Sequence, residues 1–587
     1  MLPALISLAT FASFVNAPPA QAAAQDAPAP TESRLEWLDD RALRVAQRRL
    51  EGDYTGRAHL MSIGNSRAGR SVDVLRIAEG ELRPGRPAIL LVAGMEGTQA
   101  WTSSLALDHA RALLEGYGED EAITHLLDST TIYVLARANP DGCELRFESP
   151  VAERLASGLG VDDDRDGREA EDPIADVDGD GSVLWMRVPD PEGEWVIDPA
   201  DRRVLKKADR EKGERGVYAL YPEGRDSDGD ERVAEDGERN TEWHRNFPAL
   251  WEEHAARAGR FPGEEPGVKA VMDFVLTHPE ISLVVAYGEL DDLSSPPPEQ
   301  KKGNRGVESP GRPADDVALL KELGRRYAKA VPKPRAGAKD EEGRLQTWLV
   351  QHRGMQCISV HPWSAPAELP KSEKSAQTDD EKSEQPAESN DESKEAPAEK
   401  DAEKAPEPCD DAKTLAWLEA QGVDAFHDWT AFDHPDLGPV EIGGWMPFAR
   451  IEPPVALRDE LADEHFAFLL ELAAEIPRVE VVECTARRLG EGLHEIEVVL
   501  ENARLLPFTT AAARSTETLR PIRVQLTFAD GDELIAGPRR VMVDELAGTG
   551  GRRTLNWIVR TSDPSSVAVR VVTDHAGIVT RNAEVSR

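Results

Sequence analysis

The stretch PAILLVAGMEGTQAW, residues 87–101, decides the fold class of this 587-residue chain. An apolar run of strand length, Pro87–Ala93, ends at a glycine, and a helical pattern follows at Trp101–Leu114. Four more runs of this kind occur: Val72–Ile77, Thr131–Ala136, Ile281–Tyr287 and Gln356–Val360. Further helical patterns lie at Val268–Leu276 and Val317–Ala330. Strands that alternate with helices predict an α/β domain with a mostly parallel or mixed sheet.

The two ends of the chain differ from this domain in composition. Residues 1–22 contain an apolar run followed by small residues, which predicts a secretory signal peptide. Residues 32–49 have a helical period and begin the α/β domain, which we expect over residues 32–477. In residues 478–587, short segments alternate apolar and polar positions between turn signals. This pattern predicts a C-terminal immunoglobulin-like β-sandwich.

Three inserts interrupt the α/β pattern. Residues 159–239 are dense in Asp and Gly, and residues 293–313 have the composition of a surface loop. Residues 364–413 consist mainly of Glu, Lys, Ser, Ala, Asp and Pro, and no aromatic residue occurs between Trp363 and Trp417. Such a segment buries too little apolar surface to order itself, so we expect a disordered acidic insert.

Charge and cysteine content exclude several function classes. The chain has 109 Asp and Glu against 69 Lys and Arg, a net charge of −40, which argues against a nucleic-acid partner. The four cysteines are Cys143, Cys357, Cys409 and Cys484, and no two have metal-ligand spacing. A disulfide-stapled scaffold and a cysteine-type zinc module are therefore excluded. After signal cleavage we expect no transmembrane segment and a secreted or periplasmic location.

Five short blocks occur in the order known from one enzyme family. They are Gly64…Ser66…Gly69-Arg70, Gly94–Trp101, Asn139–Gly142 (NPDG), Arg245–Pro248 (RNFP) and His278–Ile281 followed by Tyr287-Gly288. In this order the blocks resemble the zinc metallocarboxypeptidases of the carboxypeptidase A/B type. The Asp-rich insert and the block His434–Trp445 are similar to a large secreted bacterial branch of that family. The resemblance implies a carboxypeptidase-like mixed sheet flanked by helices.

The zinc and catalytic positions depart from the family pattern. Where the family has its first two zinc ligands, His and Glu, this chain has Glu96 and Gln99. The third ligand position falls near Val285 or Ala286, and the catalytic Glu aligns with His361. Catalytic zinc requires three protein ligands and a water, and without zinc the water keeps a pKa far above neutrality. We therefore expect no zinc and a pseudoenzyme.

One part of the family's substrate site is retained. The resemblance implies that Arg245 binds a peptide's terminal carboxylate, with His244 in place of the usual Asn neighbour. A guanidinium suits this task because it donates two parallel hydrogen bonds to a carboxylate. Arg245 as a structural ion-pair partner is the alternative, and the sequence leaves both open.

The Asp-rich insert predicts a second kind of metal. The insert contains three DxDxD runs, in which several Asp carboxylates can bring their oxygen atoms together. Calcium prefers hard oxygen ligands of this type. The candidate ligands in these runs are Asp162, Asp164, Asp166, Asp176, Asp178, Asp180, Asp226, Asp228 and Asp230. A solvated acidic loop without bound cation is the alternative interpretation.

Three functions are compatible with these observations. The first is an exported carboxypeptidase-fold protein that has lost zinc chemistry and binds peptides or protein C-termini. The second is an active, divergent metallocarboxypeptidase that removes C-terminal residues. The third is a calcium-dependent structural protein of the cell envelope.

Overall fold

The computed structural model describes residues 33–81, 83–154, 172–227, 229, 232–234, 241–255, 257–301, 311–332, 337–339, 341–369 and 407–585. The described helices are α1 (Asp40–Asp53), α2 (Thr102–Gly116), α3 (Glu121–Ser129), α4 (Pro140–Glu144), α5 (Pro266–Thr277), α6 (Ala314–Ala330), α7 (Leu345–Arg353), α8 (Asp410–Ala420), α9 (Val455–Ala474) and α10 (Ala511–Thr516). The described strands are β1 (Ala58–Asn65), β2 (Ser71–Ile77), β3 (Ala88–Val92), β4 (Thr131–Leu135), β5 (Trp185–Pro189), β6 (Trp195–Ile197), β7 (Leu205–Lys207), β8 (Tyr218–Pro222), β9 (Ile281–Tyr287), β10 (Gln356–Val360), β11 (Phe426–His434), β12 (Gly438–Trp445), β13 (Glu480–Gly490), β14 (Leu493–Asn502), β15 (Ile522–Thr527), β16 (Glu533–Ala536), β17 (Arg540–Val543), β18 (Gly551–Arg560), β19 (Ala568–Val572), β20 (Ile578–Asn582) and β21 (Glu584–Val585).

A six-stranded mixed sheet in the order β1-β2-β4-β3-β9-β10 forms the centre of the α/β domain. The strands β4, β3, β9 and β10 run parallel, and β1 and β2 pair antiparallel at one edge. Buried apolar clusters cover both faces of the sheet, and every residue of β3, β4 and β9 is therefore buried. Strands buried on both faces have continuous apolar sequences, as the runs in this chain do. The predicted α/β class with a carboxypeptidase-like mixed sheet is confirmed.

The first helix begins later than the sequence pattern predicts. The pattern starts at Glu32, whereas α1 begins at Asp40, because the side chain of Asp39 accepts a hydrogen bond from the backbone N–H of Ala42 and caps the helix. The described residues ahead of the cap, 33–38, are not helical, yet Leu35 is buried in the core. Its apolar character therefore reflects tertiary packing and mimics a helical period.

A second sheet, in the order β11-β12-β5-β8-β6-β7, arises from segments far apart in sequence. Strands β5 to β8 belong to the Asp-rich insert, and β11 and β12 follow the predicted acidic insert. The two parts join where β12 pairs antiparallel with β5, with Ile442 opposite Met186. Both side chains are buried in a small apolar cluster of this sheet. The described part of the Asp-rich insert is thus a folded layer of the domain.

The C-terminal region consists of two packed sheets, β16-β18-β14-β13-β21 and β17-β15-β19-β20. Their inner faces share one apolar core, which includes Trp557. The indole N–H of Trp557 donates to the backbone carbonyl of Pro538 (2.7 Å), so its one polar atom is paired. The predicted β-rich sandwich is confirmed, although the helix α10 within it was not predicted.

Parts of several predictions fall outside the described residues. Among them are the signal peptide at residues 1–22 and residues 370–406 of the predicted acidic insert. The structure describes the chain again from residue 407, and helix α8 begins at Asp410, ahead of the predicted end of the insert at residue 413. Among the described helices, none combines the length and hydropathy needed to cross a bilayer.

Candidate functional site

Three neighbouring parallel strands deliver polar side chains to one edge of the central sheet. Glu96 follows β3, Glu289 follows β9 and His361 follows β10. Open α/β sheets bind their ligands beyond the carboxyl ends of such strands. The Glu289 backbone N–H lies 3.4 Å from a carboxylate oxygen of Glu96, and the Thr98 hydroxyl donates to Glu289 (3.3 Å). The three strand ends therefore form one polar cluster.

The turn Trp243–Arg245 adds a buried carboxylate and its cationic partners. Glu242 Oε2 accepts from Arg245 Nε (3.0 Å) and lies 3.2 Å from His244 Nε2. Its other oxygen contacts Arg257 Nη1 at 2.5 Å. Burial alone would raise the pKa of Glu242, but the hydrogen bond from His244 and the charges of Arg257 and Arg245 hold the pKa below its usual value. Glu242 thus stays ionised and holds the turn together.

Arg344 connects the two carboxylates at the strand ends. The residue immediately precedes α7, and its side chain is 1% exposed. Its Nη1 lies 3.6 Å from Glu96 Oε1, and its Nη2 lies 3.5 Å from Glu289 Oε2. The recognised sequence blocks include Glu96, whereas Glu289, Arg344 and Glu242 lie outside them and were not predicted. The only available signal was a charged residue directly beside a buried strand or helix.

Glu96 is fully buried within this cluster. Burial raises its pKa to about 7, while the charges of His244 and Arg344 act in the opposite direction. One carboxylate oxygen, Oε2, has no hydrogen-bond partner among the described residues. A Cβ added at Gly288 would come within 2.7 Å of this oxygen, so the backbone after β9 passes directly over the carboxylate. Protein atoms therefore enclose the Glu96 carboxylate.

The other predicted zinc and catalytic positions are all buried. Gln99 is buried, and its amide oxygen accepts from the indole N–H of Trp101 (3.1 Å). Val285 and Ala286 belong to the apolar cores on opposite faces of the central sheet. His361 is buried, and its Nδ1 lies 3.0 Å from the Gly288 carbonyl, which places the ring proton on Nδ1. Of these residues, Glu96 alone presents a carboxylate to the cluster.

A different set of donors comes together there. Ligand atoms of Glu96, His244 and Glu289 all lie within 4.8 Å of one another. Carboxylates and imidazoles are the kinds of ligand that bind divalent transition metals in proteins. However, the guanidinium of Arg344 contacts both carboxylates, so the set as it stands does not fit a zinc ion. With Arg344 in this position, the three residues do not support the chemistry of a zinc-bound water.

The remaining recognised blocks have structural roles. Asp141 of NPDG accepts hydrogen bonds from the Ser66 hydroxyl (2.7 Å), the Ala68 backbone N–H (2.9 Å) and Arg70 Nη1 (2.8 Å). The side chain of Asn139 accepts from the Gly142 backbone N–H and caps α4. NPDG and the loop before β2 are therefore one hydrogen-bonded unit next to Glu96.

A cavity of about 420 Å³ opens above the cluster. Thr98, Gln99, Glu289 and His361 line it from the central sheet. Three residues of the second sheet, Trp185, Pro222 and Trp445, and residues of the adjoining segments form the remaining wall; the adjoining residues are Glu153, Ile174, Val183, Leu184, Ser364, Pro447, Arg450 and Ile451. This volume is within the range of small-ligand sites. Because both walls are needed, the Asp-rich insert helps to form the cavity.

The predicted calcium residues are only partly described. Asp162, Asp164, Asp166, Asp228 and Asp230 lie outside the described residues. Asp176 and Asp178 lie with Glu223 in a group whose carboxylate oxygens are within 4.8 Å of one another. Asp180 belongs to the same turn, and Asp226 accepts from the Gly229 backbone N–H (2.6 Å). Several carboxylates meet in this turn, and burial together with the charges of Asp180 and Asp176 raises the pKa of Asp178.

Family models match two parts of the chain. The model described as zinc carboxypeptidase (Peptidase_M14) matches residues 43–375, which is more than half of the chain. The model described as a domain of unknown function (DUF8731) matches residues 478–584, the C-terminal sandwich.

Individual relatives share only short stretches. Carboxypeptidase M of Mus musculus is 39% identical over 94 residues, which is 16% of this chain and 21% of that protein. Carboxypeptidase D of Drosophila melanogaster is 34% identical over 120 residues, 20% of this chain and 8% of that protein. The matches thus span about a fifth or less of these two relatives. The crystal structure of thrombin activatable fibrinolysis inhibitor has a TM-score of 0.35 and 12% identity, over 76% of this chain and 75% of that one. A metallo-carboxypeptidase structure from Burkholderia cenocepacia has a TM-score of 0.29 and 12% identity, over 56% and 60%.

Proposed function

The chain belongs to the zinc carboxypeptidase family, and we propose that within it this protein has lost zinc binding and peptidase activity and binds peptides instead. One observation carries this proposal. The positions of the family's three zinc ligands hold a buried carboxylate, an amide engaged with an indole and an aliphatic core residue. These groups cannot provide the three ligands that catalytic zinc requires. The position of the catalytic carboxylate holds His361, whose Nδ1 is engaged with a backbone carbonyl.

The cavity is the proposed peptide site. Trp185 and Trp445 offer apolar surface for a terminal side chain, and such surface commonly dominates small-ligand pockets. The family resemblance assigns the terminal carboxylate to Arg245, whose side chain is 24% exposed and whose Nε is held by Glu242. Arg450 is the guanidinium that lines the cavity, stacked 4.9 Å from the Trp445 ring. We propose that the carboxylate binds Arg245, and comparison with Arg450 tests this assignment.

We expect the wild-type protein to bind a fluorescein-labelled pentapeptide with a free C-terminus without shortening it. Mass spectrometry after prolonged incubation, with and without added zinc, should show only the intact peptide. The Arg245→Ala variant should bind the peptide more weakly by roughly 2–5 kcal/mol, the scale for truncating one partner of a buried charge pair. Fluorescence anisotropy measures this affinity.

The amidated peptide and the Arg450→Ala variant serve as controls. The amidated peptide should bind as weakly to the wild type as the free acid binds to Arg245→Ala. A larger loss of peptide affinity in Arg450→Ala than in Arg245→Ala would show that the peptide carboxylate binds Arg450 inside the cavity instead. Zinc-dependent release of the terminal residue, abolished by a chelator, would establish the active, divergent metallocarboxypeptidase instead.

Calcium binding in the Asp-rich insert and export by the N-terminal segment are further parts of this proposal. The group Asp176, Asp178 and Glu223 supports the calcium hypothesis, because Glu223 is buried and accepts from the backbone N–H groups of both Val177 and Leu184. The predicted signal peptide at residues 1–22 supports a secreted or periplasmic location, and extracellular calcium modules bind the ion with a Kd of about 10⁻⁴–10⁻³ M.

Calcium should raise the melting temperature of the purified protein. A ligand that binds only the folded state stabilises it by roughly 1.4–2.7 kcal/mol at 10–100 times its Kd. Differential scanning calorimetry in millimolar calcium and in chelator measures the effect, and Asp176→Asn should reduce it. Magnesium at the same concentration is the control for ionic strength. Equal melting temperatures in calcium and in chelator would contradict the calcium hypothesis.

A further inference from the structure

The buried cluster contains as many guanidiniums as carboxylates, without a metal ion. Three carboxylates, Glu96, Glu242 and Glu289, face three guanidiniums, those of Arg245, Arg257 and Arg344. Glu242 contacts Arg245 and Arg257, whereas Glu96 and Glu289 contact Arg344. A divalent cation added to this set would leave two uncompensated positive charges among largely buried side chains, which is strongly unfavourable.

The position of Arg344 is fixed by the backbone before it. Gly343 has a φ of 66°, and a Cβ there would come within 2.1 Å of the Arg245 carbonyl oxygen. The Gly343 backbone donates to the Ala249 carbonyl (2.9 Å) and accepts from the Phe247 N–H (2.8 Å). These contacts hold the start of α7 against the turn that carries His244. The guanidinium is therefore built into the site rather than placed there by a mobile side chain.

The helix itself would not favour a cation at this point. Arg344 is the N-cap of α7, where the helix dipole is positive and disfavours a positively charged side chain. Two carboxylates from two neighbouring strand ends offset this cost. The distances of 3.5 and 3.6 Å are longer than good hydrogen bonds, so the contact is mainly an attraction between charges.

We infer that the guanidinium of Arg344 replaces a metal ion as the cation that joins Glu96 and Glu289, and that removing it turns Glu96, His244 and Glu289 into a site for a divalent transition metal. The inference rests on the proposed loss of zinc binding. It explains how the protein keeps Glu96 and Glu289 side by side without a zinc ion. Glu96 retains a carboxylate oxygen that has no hydrogen-bond partner among the described residues, and this oxygen is available to a metal once the guanidinium is gone.

Isothermal titration calorimetry with zinc chloride tests the inference on the full chain. The Arg344→Met variant, which keeps the volume but not the charge, should bind one zinc ion with a Kd at least about 100-fold lower than that of the wild type. Zinc should also raise the melting temperature of Arg344→Met and leave that of the wild type unchanged. The double variant Arg344→Met/His244→Gln should lose the gained affinity, which identifies the ligands.

A second substitution keeps the test decisive. If Arg344→Met does not yield folded protein, Arg344→Gln retains an amide donor toward Glu289 and carries the same expectation. Wild-type affinity for zinc equal to that of the variants would overturn the inference, as would folded variants that bind no zinc. Zinc-dependent release of a peptide's terminal residue by the wild type would overturn the proposed function. Failure of Arg344→Met and Arg344→Gln to bind zinc would overturn this inference alone.

Discussion

Replacing Glu242 by glutamine is expected to lower the free energy of unfolding by roughly 3–5 kcal/mol, the cost of breaking a buried ion pair from one side. The carboxylate contacts His244, Arg245 and Arg257, and its side chain is 2% exposed. Glutamine has the same shape but no charge, so two guanidiniums lose their counter-charge. Urea unfolding followed by circular dichroism measures the change. The exposed Glu253 offers a matched control, and Glu253→Gln should stay within about 0.5 kcal/mol of the wild type.

The same substitution should change the pH dependence of stability. Because the pKa of Glu242 is lowered in the folded protein, its contribution is present above the unfolded value of 4.5 and is lost as the pH falls through the folded pKa. The variant should therefore lose less stability than the wild type as the pH falls below about 5. A loss below about 1 kcal/mol at neutral pH would show that Glu242 does not hold the cluster together.

Mild acid should destabilise the α/β domain through two buried histidines. Burial lowers the pKa of His109 to about 4 and that of His465 to about 3, against 6.5 in the unfolded chain. Because both pKa values are lowered on folding, the stabilising contribution is complete above pH 6.5 and is lost as the pH falls toward the folded values. Between about pH 7 and pH 5 the two residues together should lower the free energy of unfolding by roughly 4 kcal/mol.

Glutamine substitutions isolate this effect from other titrations. His465 Nε2 bonds to the Pro362 carbonyl and His109 Nε2 to the Ala462 carbonyl, and a glutamine side chain keeps a donor without titrating. Chemical unfolding of His109→Gln/His465→Gln should therefore show a shallower pH dependence than that of the wild type, whatever its absolute stability. The exposed His125 provides the comparison, because His125→Gln should keep the full slope. Identical slopes in the double variant and the wild type would contradict the prediction.

The central sheet could be predicted from the sequence because its parallel strands are buried on both faces. The predicted ranges Ile281–Tyr287 and Gln356–Val360 agree with β9 and β10 residue by residue. The second sheet could not be predicted in this way. Its strands β6 and β7 are three residues long, too short for an alternation to be recognised, and β12 pairs with a strand of the distant Asp-rich insert. Such pairing depends on tertiary structure and leaves no local signal.

Only part of the candidate site could be predicted from the sequence. Motif order identified Glu96, Gln99 and His361 as altered positions, because each follows a recognisable buried strand. Glu289 and Arg344 have no counterpart in those motifs, and their importance comes from contacts between strand ends and the start of a helix. Charge balance in a buried cluster is a property of the folded arrangement, and one sequence alone cannot reveal it.

The pairing of β12 with β5 has a consequence for synthesis on the ribosome. Met186 pairs with Ile442, so about 250 residues must be translated after β5 before its partner strand exists. At about 5–20 residues per second this interval is roughly 12–50 s. During that time β5 has a partner on one side only, β8, and its other edge is open to any strand that approaches. The nascent chain is therefore exposed to wrong pairing at this edge, and a chaperone that covers residues 185–189 would act before the C-terminal sandwich has been made.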